Sequence, residues 1–151
     1  MATTVADPVF VDTNVLVYSR FPASPLCVPA AVKLEELFRA NAAVWASRQI
    51  LREYATSLTR PQNYRIRPVP IADVIRDILY FESVLKIADE TAAVTQQLLA
   101  LLAAIPCGGK QVHDANIVAT MLVHGVPNLL THNVADFKRF GHLINVIPLV
   151  P

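Results

Sequence analysis

Residues 8–12 read Pro-Val-Phe-Val-Asp, a short apolar run that ends in a carboxylate. β-Branched and aromatic residues without alternating polar positions are typical of a strand buried on both faces, as in parallel sheets. Further apolar runs predict strands at residues 43–46, 84–87, 128–130 and 145–147. Apolar residues at helical spacing predict helices at residues 13–20, 30–39, 48–60, 70–81, 89–104, 111–124 and 134–140. This alternation predicts a three-layer α/β/α sandwich around a parallel sheet of about five strands.

The composition indicates one domain that spans residues 1–151. Hydrophobic residues make up 54% of the chain and charged residues 17%, so the chain can bury a core and is not disordered. No repeat or long linker divides it. Thirteen Lys and Arg against twelve Asp and Glu leave a net charge of +1, which excludes a histone-like protein that binds nucleic acid by bulk charge.

The cysteines and the N-terminal segment predict a cytoplasmic protein. Cys27 and Cys107 are too few for a disulfide framework or a zinc cluster, and residues 1–12 lack the features of a signal peptide. The longest apolar run, residues 98–105, is far below the ~20 residues that span a bilayer, so no membrane association is predicted. A mean hydropathy of +0.41 predicts that a partner or a second copy covers some apolar surface.

Several acids fall where a parallel sheet would gather them. Asp12 follows the first strand, although it is also placed to cap the next helix. Asp114 lies near the centre of a helical apolar stripe, where an unpaired carboxylate costs several kcal/mol; a helix cap is the alternative. The stripe consists of Ile117, Val118, Met121 and Leu122. Glu53 flanks another stripe, a position that also suits a solvated side chain.

Polar residues also follow the strand at 128–130. They are Thr131, Asn133 and Asp136, of which the first two are also placed to cap a short helix. Strands of a parallel sheet end at one edge, so these residues, Asp12 and Asp114 are expected to meet. Two carboxylates about 4 Å apart repel by roughly 4 kcal/mol at an effective dielectric of 20, which favours a bound cation. Oxygen ligands without His or Cys at zinc spacing favour Mg²⁺ or Mn²⁺.

Three segments match a known family in order and spacing. They are VDTNVLVY at 11–18, SRQILREYATSL at 47–58 and HDANIVATMLVHGVPNLLTHNVADF at 113–137. The chain resembles the PIN-domain ribonucleases, and most closely the VapC-type toxins of bacterial toxin–antitoxin pairs. The resemblance implies that Asp12, Glu53 and Asp114 are metal ligands and that Asp136 joins them in catalysis. Many relatives have Asp where this chain has Asn133.

The resemblance also implies roles for the neighbouring polar residues and an activity. It implies that the metal ligands are oriented by Thr13, Asn14, Thr131 and Asn133. It implies a Mg²⁺- or Mn²⁺-dependent endoribonuclease that cleaves tRNA or rRNA with metal-activated water. A homodimer and a small antitoxin are the implied partners. The helices at 30–40 and 70–81 are the predicted contact surfaces for one or the other.

A local excess of arginine predicts where RNA binds. Residues 48–67 contain five arginines and one acid, Glu53. Arg48 and Arg52 lie one helical turn apart and are predicted to bind phosphate beside the acids. A solvated helix surface is the alternative for this pair.

Two other classes of function remain open. A phosphatase that forms an aspartyl-phosphate also places an Asp after the first strand, but such enzymes typically have a second Asp where this chain has Asn14. An inert PIN-like domain that only binds RNA or a protein is the other alternative. It is compatible with Asn133, because many relatives have Asp at this position.

Overall fold

The computed structural model describes residues 6–61 and 67–151. Its strands are β1 Val9–Val11, β2 Val44–Ser47, β3 Lys86–Ala88, β4 Asn128–Thr131 and β5 Asn145–Pro148. Its helices are α1 Thr13–Ser19, α2 Cys27–Arg39, α3 Arg48–Leu58, α4 Ile71–Val84, α5 Ala92–Ala104, α6 Gln111–His124 and α7 Val134–Phe137, and a 3-10 turn follows at Lys138–Phe140. Within the described ranges, no helix has both the length and the apolar character needed to cross a membrane.

The five strands form one parallel sheet in the order β3-β2-β1-β4-β5. The chain builds outward from β1 to β3 and then returns to place β4 on the other side of β1. Ligands of such sheets bind beyond the carboxyl ends of the strands where the order reverses, which here is between β1 and β4. The predicted α/β fold with a parallel sheet is confirmed.

The central strand is buried because its side chains are apolar on both faces. Val9, Phe10 and Val11 are at most 4% exposed and belong to one continuous core. β1 pairs with β2 through Val9 and Phe10, and with β4 through all three of its residues. A strand fixed on both sides holds the residue that follows it, Asp12, at a defined place on the sheet edge.

Local signals in the sequence set several helix ends. The Asp12 side chain accepts a hydrogen bond from the Thr13 amide at the start of α1. Ser47 caps α3, because its hydroxyl accepts a hydrogen bond from the Ile50 amide. Gly125 ends α6 with a φ of 69°, a left-handed conformation that glycine adopts at low cost.

Several element boundaries differ from the sequence-based prediction, among them the starts of α2, β3 and α5. Helix α2 begins at Cys27, which puts Pro29 third in the helix, where its missing N–H removes no helical bond. Strand β3 is Lys86–Ala88 because Val84 completes α4. Helix α5 begins at Ala92, since Asp89 and Glu90 stay outside the helix and pair with arginines of α3.

Candidate active site

A cleft of about 670 Å³ opens at the edge where β1 and β4 end. All four acids predicted to be catalytic line this cleft, namely Asp12, Glu53, Asp114 and Asp136. They come from the end of β1 and from helices α3, α6 and α7. The topology therefore gathers acids that are up to 124 residues apart in the chain.

Asp12 is buried and held by three neutral donors. Its Oδ1 accepts from the Thr13 amide at 2.7 Å. Its Oδ2 accepts from Asn14 Nδ2 at 3.0 Å and from Thr131 Oγ1 at 2.7 Å. The Thr131 bond crosses from β4 to the end of β1 and fixes the carboxylate at the reversal of strand order. Asn14 and Thr131 thus contact Asp12, and their role in orienting a metal ligand stays a prediction.

Glu53 is joined to the same network through Thr13. Thr13 Oγ1 donates to Glu53 Oε2 at 2.7 Å, while the Thr13 amide binds Asp12. The other carboxylate oxygen, Oε1, accepts from Gln49 Nε2 at 2.8 Å. One threonine therefore sets the relative position of two of the predicted metal ligands.

The segment after β4 forms the outer wall of the cleft. Asn133 and Asp136 both line it and are exposed. Asn133 makes no side-chain cap for α7, and its amide donates to Thr131 Oγ1 at 3.0 Å. Asn14 Oδ1 accepts from the His132 amide at 3.1 Å, which ties this segment to α1.

The acids in the cleft destabilise one another's charged forms. Burial is the largest influence on Asp114, and the charges of Asp136, Asp12 and Glu53 add to it, so that the pKa of Asp114 rises to about 6. Burial also raises the pKa of Asp12, although hydrogen bonds from Thr131, Thr13 and Asn14 oppose this effect. Negative charge is therefore concentrated here without full compensation by the protein.

The chemistry of these donors fits a hard divalent cation. All four acids supply carboxylate oxygens, the ligands that Mg²⁺ and Mn²⁺ prefer. Asp12 Oδ1 and both Glu53 oxygens accept one hydrogen bond each, so each keeps a lone pair for a ligand. In residues 6–61 and 67–151, no three His, Cys, Asp or Glu side chains already form a cage for a metal ion. Binding would have to draw the carboxylates together.

The arginines predicted to contact RNA lie outside the cleft lining and are paired with acids. Arg48 bonds Asp89 at 3.1 Å and approaches Glu82 at 3.4 Å, and Arg52 bonds Glu90 at 3.0 Å. The contact of this pair with phosphate stays a prediction, although the charges of both arginines already face acids. Arg65 lies outside the described residues.

Among the residues that the structure describes, Arg60 and Lys110 line the cleft, together with His113. Sequence reasoning missed Lys110, although its place directly before a predicted helix start was a usable signal. Lys110 is exposed and forms no salt bridge with the residues that the structure describes.

The fold and the cleft define a PIN domain. The model of the PIN domain family matches residues 9–143, so the chain belongs to that family, as predicted. Family membership weighs against the phosphatase alternative. Asn14 also uses its amide to hold Asp12 instead of supplying a second acid. No match was found among curated protein sequences.

Solved structures with a similar fold include a sarcin-ricin loop cleaving toxin and a toxin–antitoxin complex. VapBC2 from Rickettsia felis, bound to a promoter DNA fragment, is 21% identical, covers 93% of this chain and 97% of its own, and has a TM-score of 0.65. FitAcB from Neisseria gonorrhoeae is 18% identical, covers 93% of this chain and 97% of its own, and has a TM-score of 0.67. VapC20 from Mycobacterium tuberculosis, a sarcin-ricin loop cleaving toxin, is 22% identical, with coverages of 80% and 86% and a TM-score of 0.60. At these identities the likeness concerns the fold.

Proposed function

We propose that this PIN domain is a Mg²⁺- or Mn²⁺-dependent endoribonuclease and the toxin of a toxin–antitoxin pair. The observation that supports it most is the convergence of four acids on one cleft, with the pKa of Asp114 raised to about 6 by burial and by its acidic neighbours. A folded protein that keeps such repulsion is suited to bind a cation from solution.

Asp12, Glu53 and Asp114 are the residues that would hold the metal ion, with Asp136 at the outer wall. When bound, Mg²⁺ or Mn²⁺ supplies Lewis acidity and lowers the pKa of water for attack on a phosphodiester. The protein holds the ligands in place, because Thr13, Asn14 and Thr131 fix Asp12, and Thr13 also fixes Glu53. None of the side chains is required as a nucleophile.

RNA is the proposed substrate, and Lys110 and Arg60 are the proposed phosphate contacts. Both line the cleft, where a backbone running past the acids would meet them. Arg48 and Arg52 are weaker candidates, because their charges already face Asp89, Glu82 and Glu90. The tRNA or rRNA targets implied by the resemblance are part of the proposal, as is action in the cytoplasm.

The activity is tested by inducing wild type, Asp114→Asn and a control in bacteria and sequencing RNA 5′ ends. The control is Asp73→Asn, the same substitution on α4, where the carboxylate pairs only with Arg76 in the described residues. We expect growth arrest and a dominant cleavage site with wild type and Asp73→Asn, and neither with Asp114→Asn. Equal cleavage by Asp114→Asn would overturn the proposal.

An apolar groove supports the proposed antitoxin partner. It has a volume of about 520 Å³ and lies between α1, α2 and α4, with Leu34, Phe38, Tyr80 and Val84 among its lining residues. Along α4, Ile71, Ile75 and Leu79 are more than half exposed. These helices match the predicted contact surfaces at 30–40 and 70–81. Several solved structures with this fold are toxin–antitoxin complexes, including one from Klebsiella pneumoniae.

The partner is tested by co-expressing the chain with the small gene product encoded beside it. A complex that survives gel filtration, is lost with Phe38→Glu in the groove lining and is kept with Glu82→Gln would support an antitoxin in the groove. A homodimer, also predicted, would instead give twice the chain mass without the second gene product. Failure to form any complex would contradict the proposed pairing.

A binding domain without cleavage is the second candidate. It is favoured by the lack of a preassembled three-ligand cage in the described ranges and by Asn133 at a position where many relatives have Asp. RNA binding by folded wild type, without cleavage in Mg²⁺ or Mn²⁺, would establish this function instead.

A further inference from the structure

We propose that Gln49 is a positioning residue that holds the Glu53 carboxylate between α3 and α6, an inference that rests on the proposed function. Gln49 lies one turn before Glu53 on α3 and is 5% exposed. Its Nε2 donates to Glu53 Oε1 at 2.8 Å and to the backbone carbonyl oxygen of His113 at 3.0 Å. One buried amide group therefore connects an acid of α3 to the first turn of α6.

The surrounding groups leave only one orientation for this amide. Glu53 and the His113 carbonyl are acceptors, so rotating the amide by 180° would place oxygen against oxygen. On the other side, Gln49 Oε1 accepts from Asn116 Nδ2 at 2.7 Å. Both amide hydrogens and the amide oxygen are thus engaged. No other side chain of this length offers two donors and one acceptor in that arrangement.

The bridge restrains two acid-bearing helices against repulsion. Asp114 follows His113, so Gln49 attaches the helix of Glu53 directly beside Asp114. Charge repulsion would otherwise favour a Glu53 rotamer that points toward solvent, with Thr13 as the remaining restraint. The network continues outward, since Asn116 also approaches Glu90, which pairs with Arg52. Arg52 thereby belongs to the support of the site.

The inference is tested by titrating wild type and Gln49→Met with Mn²⁺ in a calorimeter. Methionine keeps the length and volume of glutamine but cannot donate a hydrogen bond. We expect about tenfold weaker Mn²⁺ binding, as is typical when an outer partner of a metal ligand is lost. The matched control is Asn128→Leu, which removes a buried amide at the opposite end of β4, where it bonds Pro8 and Asn145. Its Mn²⁺ affinity should equal that of wild type.

A double-mutant cycle separates positioning from general structural support. In a Glu53→Gln background, Gln49→Met should cause no further loss of Mn²⁺ affinity. Unchanged affinity in Gln49→Met, or the same loss with and without Glu53, would overturn the inference. Should Gln49→Met not fold, Asn116→Leu removes the donor to Gln49 Oε1 and is titrated in its place. Wild type that binds no Mn²⁺ would instead refute the proposed metal-dependent function.

Discussion

Two aspartates of this molecule are buried to the same degree but sit in opposite electrostatic surroundings. Asp12 is 6% exposed and Asp77 is 7% exposed. Asp77 accepts from Arg20 Nη2 and from the Tyr54 hydroxyl, both at 2.7 Å, so a cation of the protein balances its charge. In the described part of the chain, the donors to Asp12 are all neutral, and the charge of Glu53 adds to burial in raising its pKa. A buried carboxylate paired with a cation supports the fold, whereas one surrounded by other acids is suited to an external cation.

The largest expected difference between the two aspartates is in their contribution to catalysis. Asp12→Asn should reduce cleavage at least about a thousandfold, which corresponds to about 4 kcal/mol of transition-state stabilisation. The melting temperature should change little, because removal of the buried charge offsets the loss of the hydrogen bond that Asp12 accepts from Asn14. Initial rates with the RNA that wild type cleaves, together with circular dichroism melts, check both expectations. Cleavage within tenfold of wild type would contradict the assigned role.

Asp77→Ala should show the reverse pattern, in which stability falls and catalysis is not the main effect. Removing Asp77 leaves the Tyr54 hydroxyl buried without its acceptor and half-exposed Arg20 without its partner. We expect a loss of about 2–3 kcal/mol in the free energy of unfolding, measured with urea. Asp73→Ala on the same helix loses only an exposed ion pair and should change stability by less than about 0.5 kcal/mol. Equal stabilities of Asp77→Ala and Asp73→Ala would contradict the role of Asp77 in supporting the fold.

The pKa of Asp114 predicts a dependence of stability on pH. Its pKa is about 6 in the folded protein against 3.8 as the ordinary value, so the folded state binds the extra proton. Stability should therefore fall as the pH rises from about 4 to 6 in the absence of metal. Asp114→Asn should reduce this slope, with Asp12 contributing the remainder, and should stabilise the protein at pH 7 by about 1 kcal/mol, after allowance for partial exposure. Thermal melts between about pH 4 and 6 in EDTA measure this dependence of stability on pH. A steeper slope in Asp114→Asn than in wild type would contradict the raised pKa of Asp114.

The smallest effect concerns the basic residues. Lys110→Ala should weaken RNA binding severalfold and reduce the salt slope by about one, because it removes one phosphate contact. Arg48→Ala should change the salt slope less, since its charge already pairs with Asp89 and Glu82. Binding measured by fluorescence anisotropy at several salt concentrations separates the two. A larger change in slope for Arg48→Ala would restore the arginine pair as the RNA contact.

The sheet and several helix ends were predictable because their signals are local. The apolar run before Asp12 identified the central strand. Ser47 and Gly125 are residue types that favour helix ends, and they are found at the start of α3 and the end of α6. The acids were predictable from one topological rule, that parallel strands end at a common edge, together with the motifs of the family. The boundaries of β3 and α5 were not predictable from local signals. Helix α4 continues to Val84, and α5 begins only after Asp89 and Glu90, which pair with arginines of α3.

The functions of single polar side chains depended on contacts that sequence cannot supply. In the sequence, Arg48 and Arg52 belong to an arginine-rich segment with one acid. The acids that pair with them lie 34 to 41 residues further along the chain. Gln49 was visible only as a neighbour of Glu53 on the helix. Its role depends on His113 and Asn116, 64 and 67 residues away. Long-range partners of this kind decide whether a polar residue supports a site or faces solvent.

Anomalous diffraction from crystals grown with Mn²⁺ would show whether the acids of the cleft bind a metal ion. We expect an anomalous peak in the cleft, in contact with carboxylate oxygens from at least two of Asp12, Glu53 and Asp114, and no peak there in crystals of Asp114→Asn. A wild-type map with no peak in the cleft, or with peaks only at surface acids such as Asp89, would contradict it.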